Sequence, residues 1–352
     1  MSKYQIVEVT EKLNHAGTKA TDDFSAIAES TGFDRVEIRK VSSTKGVIGK
    51  LERQIQYLID WNLAFKQIAD NSVVLLQHPF HYKQLTREMT LRKLKKQKKV
   101  KYISVVHDVE ELRQFRYNNY YAHEFESMIE LADVLIVHND VMKDWFISKG
   151  VPSNKLISLG IFDYIQVDVK DKAITYANSI SIAGNLDTVK CGYIGKLGEL
   201  KNLSINLYGP NFDDRLKHYP NIYYKGSYPV DDIPKLLNSG FGLVWDGDSL
   251  EGCKGLSGQY LKYNNPHKLS LYLSSGLPVI IWKQAAEAKL VEENNVGIAI
   301  NSLYDIESVL NNISHDEFDE MVKNVNRIRA ALCKGEYGRK SLELALKMLE
   351  SC

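Results

Sequence analysis

Ser181-Ile182-Ala183-Gly184-Asn185-Leu186 is a short apolar run that ends in a small-residue turn, and it follows a polar stretch, residues 167–179, that lacks clear periodicity. That stretch reads as a linker, and the run after it restarts a pattern already seen upstream. Before the linker, short runs rich in β-branched residues occupy 6–9, 35–38, 73–76, 102–106, 134–137 and 156–159. After it they recur at 181–183, 205–208, 222–224, 242–245, 279–282 and 297–300. Runs that are apolar nearly throughout suit parallel strands covered on both faces. Helical patterns separate them at 22–30 and 124–131, then at 232–238, 268–274 and 287–294. Alternating β and α segments imply a doubly wound parallel sheet. The expected fold class is α/β: two Rossmann-like domains, residues 1–170 and 171–335, facing each other across a cleft. The last segment, 336–352, reads as a helix that crosses back to the first domain.

The chain's 352 residues suit two domains of ordinary size. It carries 45 Lys+Arg against 44 Asp+Glu, so it lacks the basic excess of a nucleic-acid binder. Hydrophobic residues make up 44%, which excludes general disorder. Cys191, Cys253, Cys333 and Cys352 stand far apart and form no CxxC pair, so free thiols in a reducing compartment are expected. The N-terminus lacks the apolar core of a signal peptide, and no apolar run nears the roughly 20 residues of a membrane span. A cytoplasmic protein is expected. One basic run stands out: Arg92-Lys93-Leu94-Lys95-Lys96-Gln97-Lys98-Lys99-Val100-Lys101. It reads either as a solvated helix end or as a patch for anionic lipid headgroups at the inner face of a membrane.

Ligands of open α/β sheets bind beyond the carboxyl ends of the strands. After the first strand comes Asn14-His15-Ala16-Gly17-Thr18-Lys19, where Gly17 allows backbone to approach a ligand. The fourth strand ends in His107-Asp108, and either residue could serve as a general base. The alternative is that Asp108 caps the next helix with His107 packed beneath. After the fifth strand, Asn139 or Asp140 reads as a helix cap. In the second half, Gly184 and Asn185 form a turn, and Thr188 and Lys190 lie within reach of a phosphate. Ser227 and Tyr228 follow the third strand there, and Tyr228 could stack on a base. Asp246-Gly247-Asp248 resembles the DxD motif by which one class of sugar transferase holds a metal. That class has a single nucleotide-binding domain, so contacts to sugar or acceptor are expected of Asp246 and Asp248, and no metal. Asn265-Pro266-His267-Lys268-Leu269-Ser270 opens a helix. Free N–H groups, a partial charge of about +0.5 and Lys268 make that helix start an anion site suited to a diphosphate.

The paired halves resemble the GT-B fold of nucleotide-sugar glycosyltransferases. His107-Asp108-Val109-Glu110-Glu111-Leu112-Arg113, Ile161-Phe162-Asp163-Tyr164 and Trp245-Asp246-Gly247-Asp248-Ser249 are similar to bacterial β-1,6-galactofuranosyltransferases of surface-polysaccharide assembly. So is Tyr260-Leu261-Lys262-Tyr263-Asn264-Asn265-Pro266-His267-Lys268. A weaker resemblance links the chain to glucosyltransferases that extend glycans on serine-rich-repeat adhesins. The resemblance implies an acceptor-side first domain and a nucleotide-sugar-binding second domain. It implies a UDP-sugar donor, most simply UDP-galactofuranose, a lipid-linked or protein-linked glycan acceptor, inversion at the anomeric carbon and no cofactor. Donor contacts are implied at Ala16, Gly17, Thr18, Gly184, Asn185, Thr188, Ser227, Tyr228 and 265–270. The adhesin relatives imply a homo-oligomer. A non-catalytic UDP-binding subunit is the reading from a different class.

Overall fold

A computed structural model describes residues 1–9, 18–40, 46–167 and 172–350. Among the described residues the chain forms two six-stranded sheets whose pairings are all parallel. The first contains β1 (Lys3–Val9), β2 (Asp34–Arg39), β3 (Val73–His78), β4 (Lys101–Val106), β5 (Val134–Val137) and β6 (Leu156–Ser158), in the order β2-β1-β3-β4-β5-β6. Its helices are α1 (Lys19–Ser30), α2 (Gly46–Gln67), α3 (Arg87–Lys98), α4 (Glu110–Arg113), α5 (Asn119–Leu131) and α6 (Asp140–Ser148). The second contains β7 (Thr175–Ala183), β8 (Ser204–Tyr208), β9 (Ile222–Gly226), β10 (Ser239–Val244), β11 (Val279–Trp282) and β12 (Gly297–Ile300), in the order β12-β11-β10-β7-β8-β9. Its helices are α7 (Ile233–Leu236), α8 (Gly255–Tyr260), α9 (His267–Ser274), α10 (Ala288–Glu293) and α11 (Ile306–Asn312).

The residue types explain the layers. β5 and β11 are buried along their whole length, as strands covered on both faces must be. Edge strand β2 alternates instead, with Val36 and Ile38 inward. The strand order reverses between β1 and β3 in the first sheet and between β7 and β10 in the second. Those two switch points are where crevices open at the carboxyl edge.

Two features correct the sequence reading, and helix α2 lies outside it. The stretch 167–179 is not linker throughout, because β7 already begins at Thr175. Its outer half is largely solvent-facing, so polar residues fit while Thr175 pairs with Ser239 and Ser179 with Ser204. α2 escapes a two-face pattern because apolar residues run round it, some packed inward and others exposed. The basic run is only partly a solvated face. Arg92 pairs with Glu88 and Glu130, Lys95 with Asp133, and Lys98 and Lys101 cap carbonyl oxygens of Phe65, Ile68 and Leu349.

Helix α12 (His315–Lys334) starts on a Ser314–Glu317 capping box and lies against α9 and β7. After Gly335, helix α13 (Glu336–Glu350) packs on β5, β6 and α1 of the first domain. Asp163 fixes its start by accepting the N–H groups of Tyr337 at 3.2 Å and Gly338 at 2.6 Å. Among the described residues no helix is long and apolar enough to cross a membrane.

Candidate active site

Parallel strands end on one edge, so the loops after β7, β8 and β9 gather there. The Gly184 N–H donates to Tyr208 O and the Gly209 N–H donates to Gly226 O, both at 2.9 Å. Gly209 has φ +145, and a Cβ on it would lie 1.8 Å from the Gly184 carbonyl oxygen. Only glycine lets these loops meet. Across the switch point from them stands Lys268, the second residue of α9. Its Nζ donates to the Trp245 carbonyl at 3.1 Å, and its Cε lies 3.7 Å from where a Gly184 Cβ would be. Pro266 occupies the N-cap and supplies no side-chain cap to the first turn of α9. Burial works against the Lys268 charge, but Tyr193, Asp246, Cys191 and Tyr272 outweigh it and hold the ammonium above the ordinary lysine range. Tyr272 also accepts the Ala183 N–H at 2.9 Å, which pins the end of β7 to α9.

Along the same edge, the Asn185 side chain accepts from Asn211 at 2.8 Å and from the Asp187 N–H at 3.2 Å. Ser227 and Tyr228 are exposed, and the Tyr228 ring, 43% exposed, is available for stacking. Thr188 lies in a half-buried turn, and Lys190 is exposed beside it. Asp246 accepts the Gly247 N–H at 2.8 Å, while Asp248 is exposed. No group of three or more His, Cys, Asp or Glu among the described residues is placed to hold a metal. Thr18 stands at the start of α1, and Ala16 and Gly17 lie outside the described residues.

Three members of the 265–270 segment point away from the edge where Lys268 stands. The Asn265 side chain bonds the carbonyl oxygens of His138 at 2.6 Å and Gly160 at 3.0 Å, and accepts from Asn139 at 2.7 Å. Leu269 is fully buried, and the Ser270 hydroxyl donates to Phe162 O at 2.6 Å. Their side chains are held by the core and by the first domain, so these positions can offer a donor only backbone. His267 is half-buried beside Tyr164 and Phe162 with its buried Nε2 unpartnered, and desolvation pushes its pKa down to about 4.

His107 and Asp108 differ sharply although adjacent. Gln77 Oε1 accepts from His107 Nε2 at 2.7 Å, and the His107 ring stacks on Phe162 at 5.3 Å. The Gln77 amide donates to Thr21 O and Ser25 Oγ, so its oxygen must face the histidine. Burial, then the neighbouring histidines, pushes His107 down to about 3, so it is neutral and a weak base. Asp108 keeps a quarter of its side chain exposed and pairs with Arg113 at 2.6 Å. Burial raises its carboxyl to about 6, against the pull of Arg113 and a hydrogen bond from Tyr260. Asp108 does not cap α4, whose N-cap is Val109 without a side-chain bond.

Tyr260 and His138 are the residues that sequence reasoning left without a role. The Tyr260 hydroxyl, from the second domain, accepts the Val109 N–H at 2.9 Å and so has its proton for Asp108. His138 Nδ1 accepts the Asn265 N–H at 2.8 Å while its Nε2 donates to His107 O at 3.0 Å. Asn139 caps α6 as read, through the Met142 N–H, and also donates to Tyr263 O at 3.0 Å. Their one signal in sequence was position: His138 and Asn139 end a strand, and Tyr260 opens the segment that leads into α9.

Two facing parallel-sheet domains, with a half-buried cation at the second switch point, define a fold of the GT-B class. HepE of Anabaena in complex with UDP and glucose has that fold at TM-score 0.60 and 11% identity, over 99% of this chain and all of that one. The N-terminal domain of the glucosyltransferase 3-like family matches residues 3–161, and its C-terminal domain matches residues 180–345. The chain belongs to the glucosyltransferase 3-like family. It is 34% identical to the β-1,6-galactofuranosyltransferase WbbI of Escherichia coli K12, over 62% of this chain and 65% of that protein, just under two thirds of its length. It is 24% identical to glucosyltransferase 3 of Streptococcus gordonii over 92% of both chains.

Proposed function

We propose that the chain is an inverting glycosyltransferase that moves a hexosyl group, galactofuranose, from UDP to a glycan acceptor. The observation that carries the reading is the pairing of a fixed cation with a titratable carboxyl across the cleft. Lys268 stands on the second-domain edge, Asp108 on the first-domain edge, and Tyr260 ties one to the other. Helix α4, next to Asp108, lies against α8 of the second domain, so the two edges face each other.

In this reading Asp108 takes the proton from an acceptor hydroxyl as its oxygen bonds to the anomeric carbon. The bond from that carbon to the UDP oxygen breaks, and the electron pair leaves on the diphosphate. Lys268 and the first-turn N–H groups of α9 stabilise the charge that develops there. A carboxyl with a pKa near the working pH suits a general base, whereas His107 is too weak a one. His107 instead orders the strand end through Gln77. The mechanism asks for no metal or cofactor. Gly184, Asn185, Thr188, Ser227 and Tyr228 supply the uridine side, and Asp246 and Asp248 contact sugar or acceptor.

The 34% identical relative favours galactofuranose, while the family match favours glucose as the second reading. Sugars differ only in ring form and hydroxyl placement, so a few side chains decide between them. UDP release from UDP-galactofuranose, UDP-glucose, UDP-galactose and UDP-N-acetylglucosamine, with a glucosyl acceptor and with EDTA present, tests the proposal. Turnover of UDP-galactofuranose is expected. Turnover of UDP-glucose alone selects the second reading, a strict manganese requirement overturns the metal-free mechanism, and UDP binding without turnover of any donor overturns the enzyme.

A further inference from the structure

α2 buries Gly49, Tyr57, Asp60, Trp61 and Ala64 against the first sheet. Its opposite side is also apolar: Val47 (83% exposed), Ile48, Leu51 (62% exposed), Ile55, Ile59 and Leu63 face solvent. A helix apolar all round is normally covered all round. The exposed face continues onto the neighbouring helix. Gln54 of α2 bonds Lys83 O at 2.8 Å and the Leu85 N–H at 3.0 Å, which sets exposed Leu85 and Met89 beside it. Near the other end, Lys98 caps Phe65 O and Ile68 O, so α3 runs alongside α2.

Charge says what covers this face. Exposed Lys93, Lys96 and Lys99 on or after α3, with Lys50 and Lys66 on α2, make no ion pair among the described residues. The exposed carboxylate of α2 is Glu52, and Glu88 of α3 is engaged by Arg92 and His123. A second copy docked on this face would bring one cationic rim against another. An anionic lipid surface would accept both the aliphatic stripe and the lysines. We propose that the α2 face, flanked by Lys93 and Lys96, seats the first domain on an anionic bilayer. The paired members of the basic run, Arg92, Lys95, Lys98 and Lys101, are structural and take no part.

The proposal is independent of the donor sugar and of catalysis, and its readout is sedimentation of the full chain with vesicles. The parent chain is expected to bind phosphatidylcholine–phosphatidylglycerol vesicles and to bind phosphatidylcholine vesicles weakly. Leu51→Glu/Ile55→Glu should lower anionic-vesicle binding on the order of tenfold or more. Lys93→Ala/Lys96→Ala, a mild change at exposed positions, should lower it several-fold and weaken its salt dependence. UDP binding by both variants reports that they are folded. No binding by the parent overturns the proposal, as does unchanged binding by either folded variant. Gel filtration giving a parent dimer that Leu51→Glu/Ile55→Glu converts to monomer, with vesicle binding unchanged, assigns the face to a second copy instead.

Discussion

Asp108 and Lys268 illustrate how burial acts oppositely on two charges. For Asp108 it is the dominant cause and lifts the carboxyl to about 6. For Lys268 it is outweighed by the groups around the ammonium. The base must be ionised to act, so kcat/KM is expected to fall as pH drops below about 6, and Asp108→Asn should abolish turnover while sparing UDP binding. A flat profile down to about pH 5 in a rate series would contradict that role. Lys268→Ala should lose ~2–4 kcal/mol of transition-state stabilisation, read from kcat/KM. Tyr260 acts through Asp108 and is a positioning residue. Tyr260→Phe removes the bonds to Val109 and to the carboxyl. It should raise the acidic limb further, because a bond that favours the ionised form is gone, with kcat affected more than the KM of the donor. An unmoved pH profile would make Tyr260 merely structural.

At the scale of elements, the chain joins its domains through polar side chains at strand ends and helix starts. His138, Asn139 and Asn265 form a buried set in which the donors and acceptors match. Asn265→Ala leaves those partners unsatisfied and should lower stability by about 1–3 kcal/mol in denaturant unfolding. The strands were legible because strands buried on both faces are apolar throughout, as in 134–137 and 279–282. α2 was not legible, since periodicity cannot separate a helix apolar on every side from other apolar runs. The helix start at Pro266-His267-Lys268 was legible from local chemistry alone. The split of its side chains, Lys268 toward the loops after β7 and β10 and Asn265 to the first domain, depends on where the other domain lies, and no local pattern holds that information. The same is true of Tyr260, which meets Asp108 across 152 positions of sequence, the difference between 260 and 108.

Across the whole molecule, buried carboxyls and buried histidines oppose each other. Burial raises Glu8 and Asp163 to about 7 and Glu287 to about 8. It lowers His138 and His267 to about 4 and, with its neighbours, His107 to about 3. The folded chain holds the carboxyl protons to higher pH than the unfolded chain, so their contribution is lost as pH rises through the folded values. The histidines work the other way, but only below the unfolded value of about 6.5. Above that value the carboxyls dominate until about pH 8, where Lys172, its ammonium lowered by burial to about 8, begins to favour the folded chain as pH rises, so Tm is expected to fall from about pH 6.5 to about pH 8. Glu287→Gln should flatten the fall; a Tm that climbs over that range would contradict the assignment. The central claim concerns a cation and a base on facing edges of one cleft. It is tested most directly by single-turnover transfer from UDP-galactofuranose to a glucosyl acceptor in EDTA, following UDP and glycosylated acceptor together. The account predicts the two products in equal amounts from the parent chain, none from Asp108→Asn and a large rate loss in Lys268→Ala. Equal rates from all three chains, or bound donor that never yields glycosylated acceptor in the parent, would contradict it.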